Sequence, residues 1–204
     1  GGSSDAAAVL VGMNTMYSTK LSKQELCDIG VTIGADVPFC IVGGCALAQG
    51  IGEVITPLTP LTEGYFVLVK PLVGVNTGEA FAIYDTLKQQ GEVQPLAILE
   101  DGLQVFQQQN LAEVGKVLGN VFEQALTELP TDGIKRLFDS FGALGSTLSG
   151  SGSAVAGFFE TKEKAEECYK FMRFGNFAEV HLVQPISHGA VVRADIPSQT
   201  KGTA

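Results

Sequence analysis

The chain has 204 residues, of which 45% are hydrophobic and 17% charged; that balance describes one large or two small well-packed domains and excludes general disorder. A net charge of −9, with the 13 Lys and Arg in no dense basic run, excludes a non-specific grip on nucleic acid. No apolar run approaches the ~20 residues that span a bilayer, and Cys27, Cys40, Cys45 and Cys168 form no CxxC pair and lie far from His181 and His188, so membrane, zinc and redox-motif readings fall away. Buried thiols, structural histidines and a soluble cytoplasmic protein are the expectation.

The opening residues Gly1, Gly2, Ser3 and Ser4 run into an alanine-rich stretch. A glycine and serine turn before a helix leaves backbone N–H groups uncovered at the positive end of the helix dipole, where phosphate can be held. A linker, or a helix cap by Ser3 or Ser4, accounts for the same residues. No Gly-Lys-Ser/Thr follows, which excludes a Walker-type loop. The helix, expected over 4–17, is apolar on nearly every side and predicts burial against a neighbouring layer. A second helix begins at Ser22, where Glu25 three residues on completes a capping box, and ends at 30–34. Asp36, two residues before Pro38, marks a third start and would keep its carboxylate ionised there.

Strands are expected at 46–49 and 53–55 around a glycine turn, and Pro57, Pro60 and Gly64 mark a boundary. The division predicted is 1–60 and 61–204. Beyond it come a strand at 65–70, helices at 78–89, 95–108, 111–129 and 133–141, a hairpin with arms at 144–148 and 154–159, a helix at 162–172 and a strand at 178–183. Strand, helices, strand, strand, helix, strand is the split ferredoxin-like order with an enlarged first crossover, so the fold class is α+β. The hairpin turn, Ser149-Gly150-Ser151-Gly152-Ser153, has an ordinary explanation as a permissive loop. Asn76 or Thr77 can cap the helix at 78–89, with Glu79 completing an Asn76-x-x-Glu79 box and Phe81 in the core.

Taken in order, GGSSDAAAVL, GADVPF, GGCALAQGIGEVITPL, LVKPLVGVNTGEAF and LSGSGSAVAGFF closely resemble the GHMP family of small-molecule kinases over essentially the whole chain. The resemblance implies an N-terminal part with the ribosomal protein S5 domain 2-like fold, followed by a ferredoxin-like C-terminal domain. It implies ATP and Mg²⁺ as cofactors: Gly1, Gly2 and Ser3 would contact phosphate oxygens, and Ser4 would supply a hydroxyl to the metal. Asp36 would face the acceptor hydroxyl as catalytic carboxylate, a role compatible with its place at a helix start. Ser149, Gly150, Ser151 and Gly152 match the third glycine motif, which approaches the phosphate loop from the second domain. Ile51, Thr77 and Phe81 would surround a small-molecule cytidine diphosphate substrate of non-mevalonate isoprenoid biosynthesis, with Phe81 offering an apolar face for stacking.

In the family the first glycine motif is the second half of a longer loop, P-x-G-x-G-L-G-G-G-S-S, and a lysine near the N-terminus pairs with the Asp. Neither the first half nor the lysine has a counterpart in these residues. The chain is therefore expected to be a shortened, inactive form of an intact kinase, with the apolar first helix covered by dimerisation or by another rearrangement. Other acceptors of the family (homoserine, mevalonate or a sugar) and a non-catalytic nucleotide-binding module remain alternatives.

Overall fold

A computed structural model describes residues 1–96 and 98–193. The backbone divides into two units, Gly1–Thr59 with residues from Ile186 on, and Pro60–Pro185. The sequence-based division had placed everything after 60 in the second. The described tail belongs to the first because Ala190 N–H donates to Cys40 O at 3.0 Å and Gly189 lies so close to the Cys40 and Ile41 carbonyls that a Cβ there would meet them at 2.4 and 2.5 Å.

The first unit holds α1 (Gly2–Met16), α2 (Lys23–Val31), α3 (Val37–Val42) and an antiparallel hairpin of β1 (Cys45–Gln49) and β2 (Val54–Leu58). Helix α1 begins at Gly2 with Gly1 as cap, so neither Ser3 nor Ser4 caps it. The capping box of α2 is present, Ser22 N–H donating to Glu25 Oε2 at 2.8 Å and Glu25 N–H to Ser22 Oγ at 3.3 Å. Ala7, Leu26, Cys27, Val37 and Ile41 form the core. Helix α1 buries Ala7 there but exposes Val9, Met13 and Met16, so the burial on most sides expected from its sequence is not realised within the described unit. Pro57, expected at a boundary, sits within β2 opposite Ala46.

In the second unit, β3 (Tyr65–Lys70) is followed by α4 (Thr77–Gln90), α5 (Ile98–Gln108), α6 (Leu111–Lys116), α7 (Phe122–Ala125) and α8 (Thr131–Ser140). The chain closes with β4 (Gly145–Leu148), β5 (Val155–Phe159), α9 (Lys162–Met172) and β6 (Glu179–Val183). The sheet order is β4-β5-β3-β6 and every pairing is antiparallel. This is the ferredoxin-like arrangement read from the element order. All five residues of β5, VAGFF, are buried, because both sheet faces are covered, as a strand without polar alternation requires. Val67, Val69, Val155 and Phe159 pack with Phe138, Cys168 and Met172 in one cluster, and Phe158 with Leu61 and Val114 in another. Gly157 faces Phe138, and a Cβ there would lie 2.5 Å from the ring.

The single helix expected over 111–129 is two, α6 and α7. Asn120 separates them: its Oδ1 accepts the Phe122 N–H at 3.0 Å, a local bond that competes with continuing the helix. Helix α5 begins at Ile98 rather than Pro95, and Ala97 within that expectation lies outside the described residues, as do 194–204 of the second predicted domain. Among the described residues no helix is long and apolar enough to cross a membrane.

Candidate active site

In the first unit, the start of α1 and the start of α3 line one cleft of about 490 Å³, which brings together Gly1, Ser3, Ser4 and Asp36. Gly2 is in the first turn of α1 without lining it. The first helical N–H with an intrahelical acceptor is that of Asp5, to Gly1 O at 3.0 Å, so the turn before it retains the donors and the dipole end that suit an anion.

Asp36 occupies the N-cap position of α3, yet its carboxylate makes no cap hydrogen bond. Two local features explain this. Its backbone is right-handed helical (φ −84°, ψ −9°) rather than extended, which turns the side chain from the usual capping geometry. Pro38 also removes one of the first-turn N–H groups it would have capped. The carboxylate thus lines the cleft uncommitted. Burial first, and then the Asp36 charge, push the neighbouring Cys40 thiol above its ordinary range. Burial does the same to Cys27 and Cys45, and raises Cys168 to about 12. All four thiols are free and protonated at neutral pH, which makes them poor nucleophiles.

Ile51 lies at the tip of the β1–β2 hairpin and is 76% exposed, its N–H donating to Glu53 Oε2 at 2.7 Å. The hairpin gives it no packing partner that would make it a core residue.

The second unit carries the other predicted positions. Asn76, not Thr77, caps α4, accepting from Gly78 and Glu79 N–H at 2.9 and 3.2 Å. The Thr77 hydroxyl is therefore free to meet Ser151 Oγ at 2.9 Å, which joins a predicted substrate residue to the glycine turn. Phe81 is 52% exposed, with its ring edge-on to Phe122 at 4.9 Å; it is a half-open aromatic surface, not the core residue the helical spacing also allowed. In the turn, Gly150 and Gly152 have φ of +57° and +88°, the left-handed region that favours glycine.

Asn120, Glu123 and Lys135 escaped the sequence reading. The Asn120 amide donates to Leu148 O and Gly150 O at 2.9 and 2.7 Å, and Glu123 accepts the Leu148 N–H at 2.7 Å while pairing with Lys135 at 2.8 Å. The Gly119-Asn120 step inside a helical pattern was the available signal. His181 instead bonds Glu179 on the exposed face of β6, and among the described residues no cluster of three or more His, Cys, Asp or Glu could hold a metal.

Comparison with known proteins accounts for the order of these parts. The sequence profile of the GHMP kinases N terminal domain matches residues 1–44, and that of the GHMP kinases C terminal domain matches 103–176. The chain belongs to the GHMP kinase family. This GHMP kinase chain is 40% identical over 196 residues to the 4-diphosphocytidyl-2-C-methyl-D-erythritol kinase of Alkaliphilus oremlandii, covering 94% of the chain and 65% of that protein. It is 41% identical over 174 residues to the enzyme of the same name from Carboxydothermus hydrogenoformans, covering 83% and 58% respectively. The chain thus spans about two thirds or less of the curated relatives it matches. A solved 4-(cytidine 5'-diphospho)-2C-methyl-D-erythritol kinase superposes with a TM-score of 0.70 at 27% identity, over 90% of this chain and 65% of that one. The mevalonate kinase of L. major, at 20% identity and a TM-score of 0.73 over 90% of this chain and 65% of its own, shares the fold.

Proposed function

We propose that the protein transfers the γ-phosphoryl group of ATP to the 2-hydroxyl of 4-diphosphocytidyl-2-C-methyl-D-erythritol, a step of non-mevalonate isoprenoid synthesis. The observation that carries the reading is the uncommitted Asp36 carboxylate in one cleft with Gly1, Ser3 and Ser4, in a chain about 40% identical to proteins bearing that name. The first-turn N–H groups of α1 would hold phosphate oxygens. Asp36 would orient the acceptor hydroxyl and take its proton as the new O–P bond forms and the bond from the γ-phosphorus to the bridging oxygen breaks, releasing ADP. Because phosphoryl transfer passes through a loose transition state, a strong base is not required.

Mg²⁺ fits this donor set. It keeps several waters and binds largely through substrate phosphates with few protein ligands, of which the Ser4 hydroxyl at the cleft would be one. When bound it would neutralise charge on the phosphates. Thr77 and the open face of Phe81 would serve the hydroxyls and the cytosine ring of the acceptor, Ile51 would offer it an apolar contact, and Ser149, Gly150, Ser151 and Gly152 would serve the nucleotide phosphates. ATP as donor supports a cytoplasmic setting, and the exposed apolar residues of α1 support self-association.

The test is ATP-dependent phosphorylation by the natural full-length protein, offered the cytidine substrate beside homoserine and mevalonate. Turnover of the cytidine compound, lowered about 10²- to 10⁴-fold by Asp36→Asn, is expected. Turnover of another acceptor in its place would overturn the substrate assignment.

A further inference from the structure

A turn of alternating glycine and serine has few contacts with which to fix its own shape, since glycine has the most backbone freedom to lose. The turn between β4 and β5 contributes two backbone bonds itself, Ser149 N–H to Ala154 O at 2.8 Å and Gly152 N–H to Ser149 O at 3.0 Å. Its remaining backbone support comes from the segment that opens α7. Asn120 spends its whole amide there: both donors of Nδ2 go to Leu148 O and Gly150 O, and Oδ1 accepts from Phe122 N–H. Glu123, one turn further along, receives the Leu148 N–H on one oxygen and the Lys135 ammonium on the other.

The choice of groups has a chemical consequence. The carbonyl oxygens of Gly150 in the turn and of Leu148 at the end of β4 are tied to Asn120, while the N–H groups of Gly150 and Ser151 have no backbone acceptor among the described residues. A turn held this way keeps carbonyl oxygens away from an anion and offers it N–H groups, which is the polarity that phosphate requires. Aspartate has the same shape as asparagine but would set a charged acceptor against two acceptors.

We propose that Asn120, with Glu123 braced by Lys135, is the positioning element that sets the 149–152 turn for the phosphates of ATP. The inference rests on the kinase reading and on the nucleotide role of that turn, but not on the identity of the acceptor.

The experiment compares full-length wild type with Asn120→Asp. It measures calorimetric affinity for the non-hydrolysable analogue AMP-PNP with Mg²⁺, amide hydrogen exchange in 149–153 against β5, and steady-state kinetics. Asn120→Asp is expected to weaken AMP-PNP binding about tenfold and lower kcat/KM for ATP by about 10²-fold, with KM for the cytidine substrate changed less than about threefold. Exchange should quicken in the turn and stay unchanged in β5, a split that general destabilisation would not produce. Should Asn120→Asp not fold, Lys135→Gln, which unbraces Glu123, is expected to shift the same readouts in the same direction by less. Wild-type affinity for AMP-PNP in the folded variant, or equal quickening in turn and β5, would overturn the proposal. A wild type that binds AMP-PNP but leaves the cytidine compound untouched would instead sink the acceptor assignment, with the effect on the turn still readable.

Discussion

The two units present their functional groups in opposite conditions. In the first, Asp36 occupies a cap position without capping, and the opening turn of α1 has donors with no acceptor; the groups are available. In the second, the glycine turn is tied by Asn120, Glu123 and Thr77; the groups are held. Their packing differs in the same sense: a small core around Ala7, Val37 and Ile41 on one side, a sheet buried on both faces on the other. A carboxylate that is to exchange a proton must stay uncommitted, whereas a glycine turn, which has no helix to fix its backbone, gains from being tied.

The sharpest test of that contrast sets two substitutions side by side. Phe138 is fully buried, in edge contact with Phe159 at 6.2 Å. Phe138→Ala should destabilise the second unit by about 3–5 kcal/mol, seen as a large fall in its denaturant midpoint. Asp36→Asn, for which the proposed kinase role implies a far larger effect on turnover, should leave stability within about 0.5 kcal/mol of wild type, because the carboxylate forms no cap bond to lose. A substantial loss of stability in Asp36→Asn would show the carboxylate to be structural and break the comparison.

A milder probe comes from Gly157, where an added methyl would lie 2.5 Å from Phe138 Cγ and the ring sits in a filled core. Gly157→Ala should cost about 1–3 kcal/mol by overpacking, measured by the same unfolding curves. Tolerance without loss would mean that Phe138 has room to yield and that the second unit is less tightly packed than its burial implies.

How far such features can be read in advance depends on how local they are. The apolar runs YFVLVK and VAGFF, the Ser22 and Glu25 box and the order of strands in the second unit are legible in the sequence, and all are present as read. The break at Asn120 rests on a local bond to Phe122 N–H, and only its Gly119-Asn120 step marks it in the sequence; the partners of its amide, carbonyls 28 and 30 residues away, leave no trace in helical periodicity. Thr77 and Ser151 are 74 residues apart, so their bond needed the fold. Asp36 was legible as a helix start, but the unused state of its carboxylate depends on a backbone angle that no residue pattern specifies.

The smallest expected effect tests the first unit by itself. Ser22→Ala removes the acceptor of the Glu25 N–H and the hydroxyl that Glu25 Oε2 receives at 2.7 Å, and should cost about 1 kcal/mol. The Ser22 backbone N–H, and then its hydroxyl, hold the Glu25 carboxyl below its ordinary value. A carboxyl lowered on folding contributes stability that is present above its unfolded pKa and lost as pH falls through the folded one. The difference between Ser22→Ala and wild type should therefore be larger at neutral pH than in acid below the ordinary carboxylate range, since the variant loses the hydroxyl part of that stabilisation and retains only the backbone part. Because the first unit has the smaller core, the same cap should matter more to its local hydrogen exchange than to global unfolding. Equal protection of α2 amides in variant and wild type would mean that packing of Leu26 and Cys27 against Val37 and Ile41, not the cap, holds this helix in place.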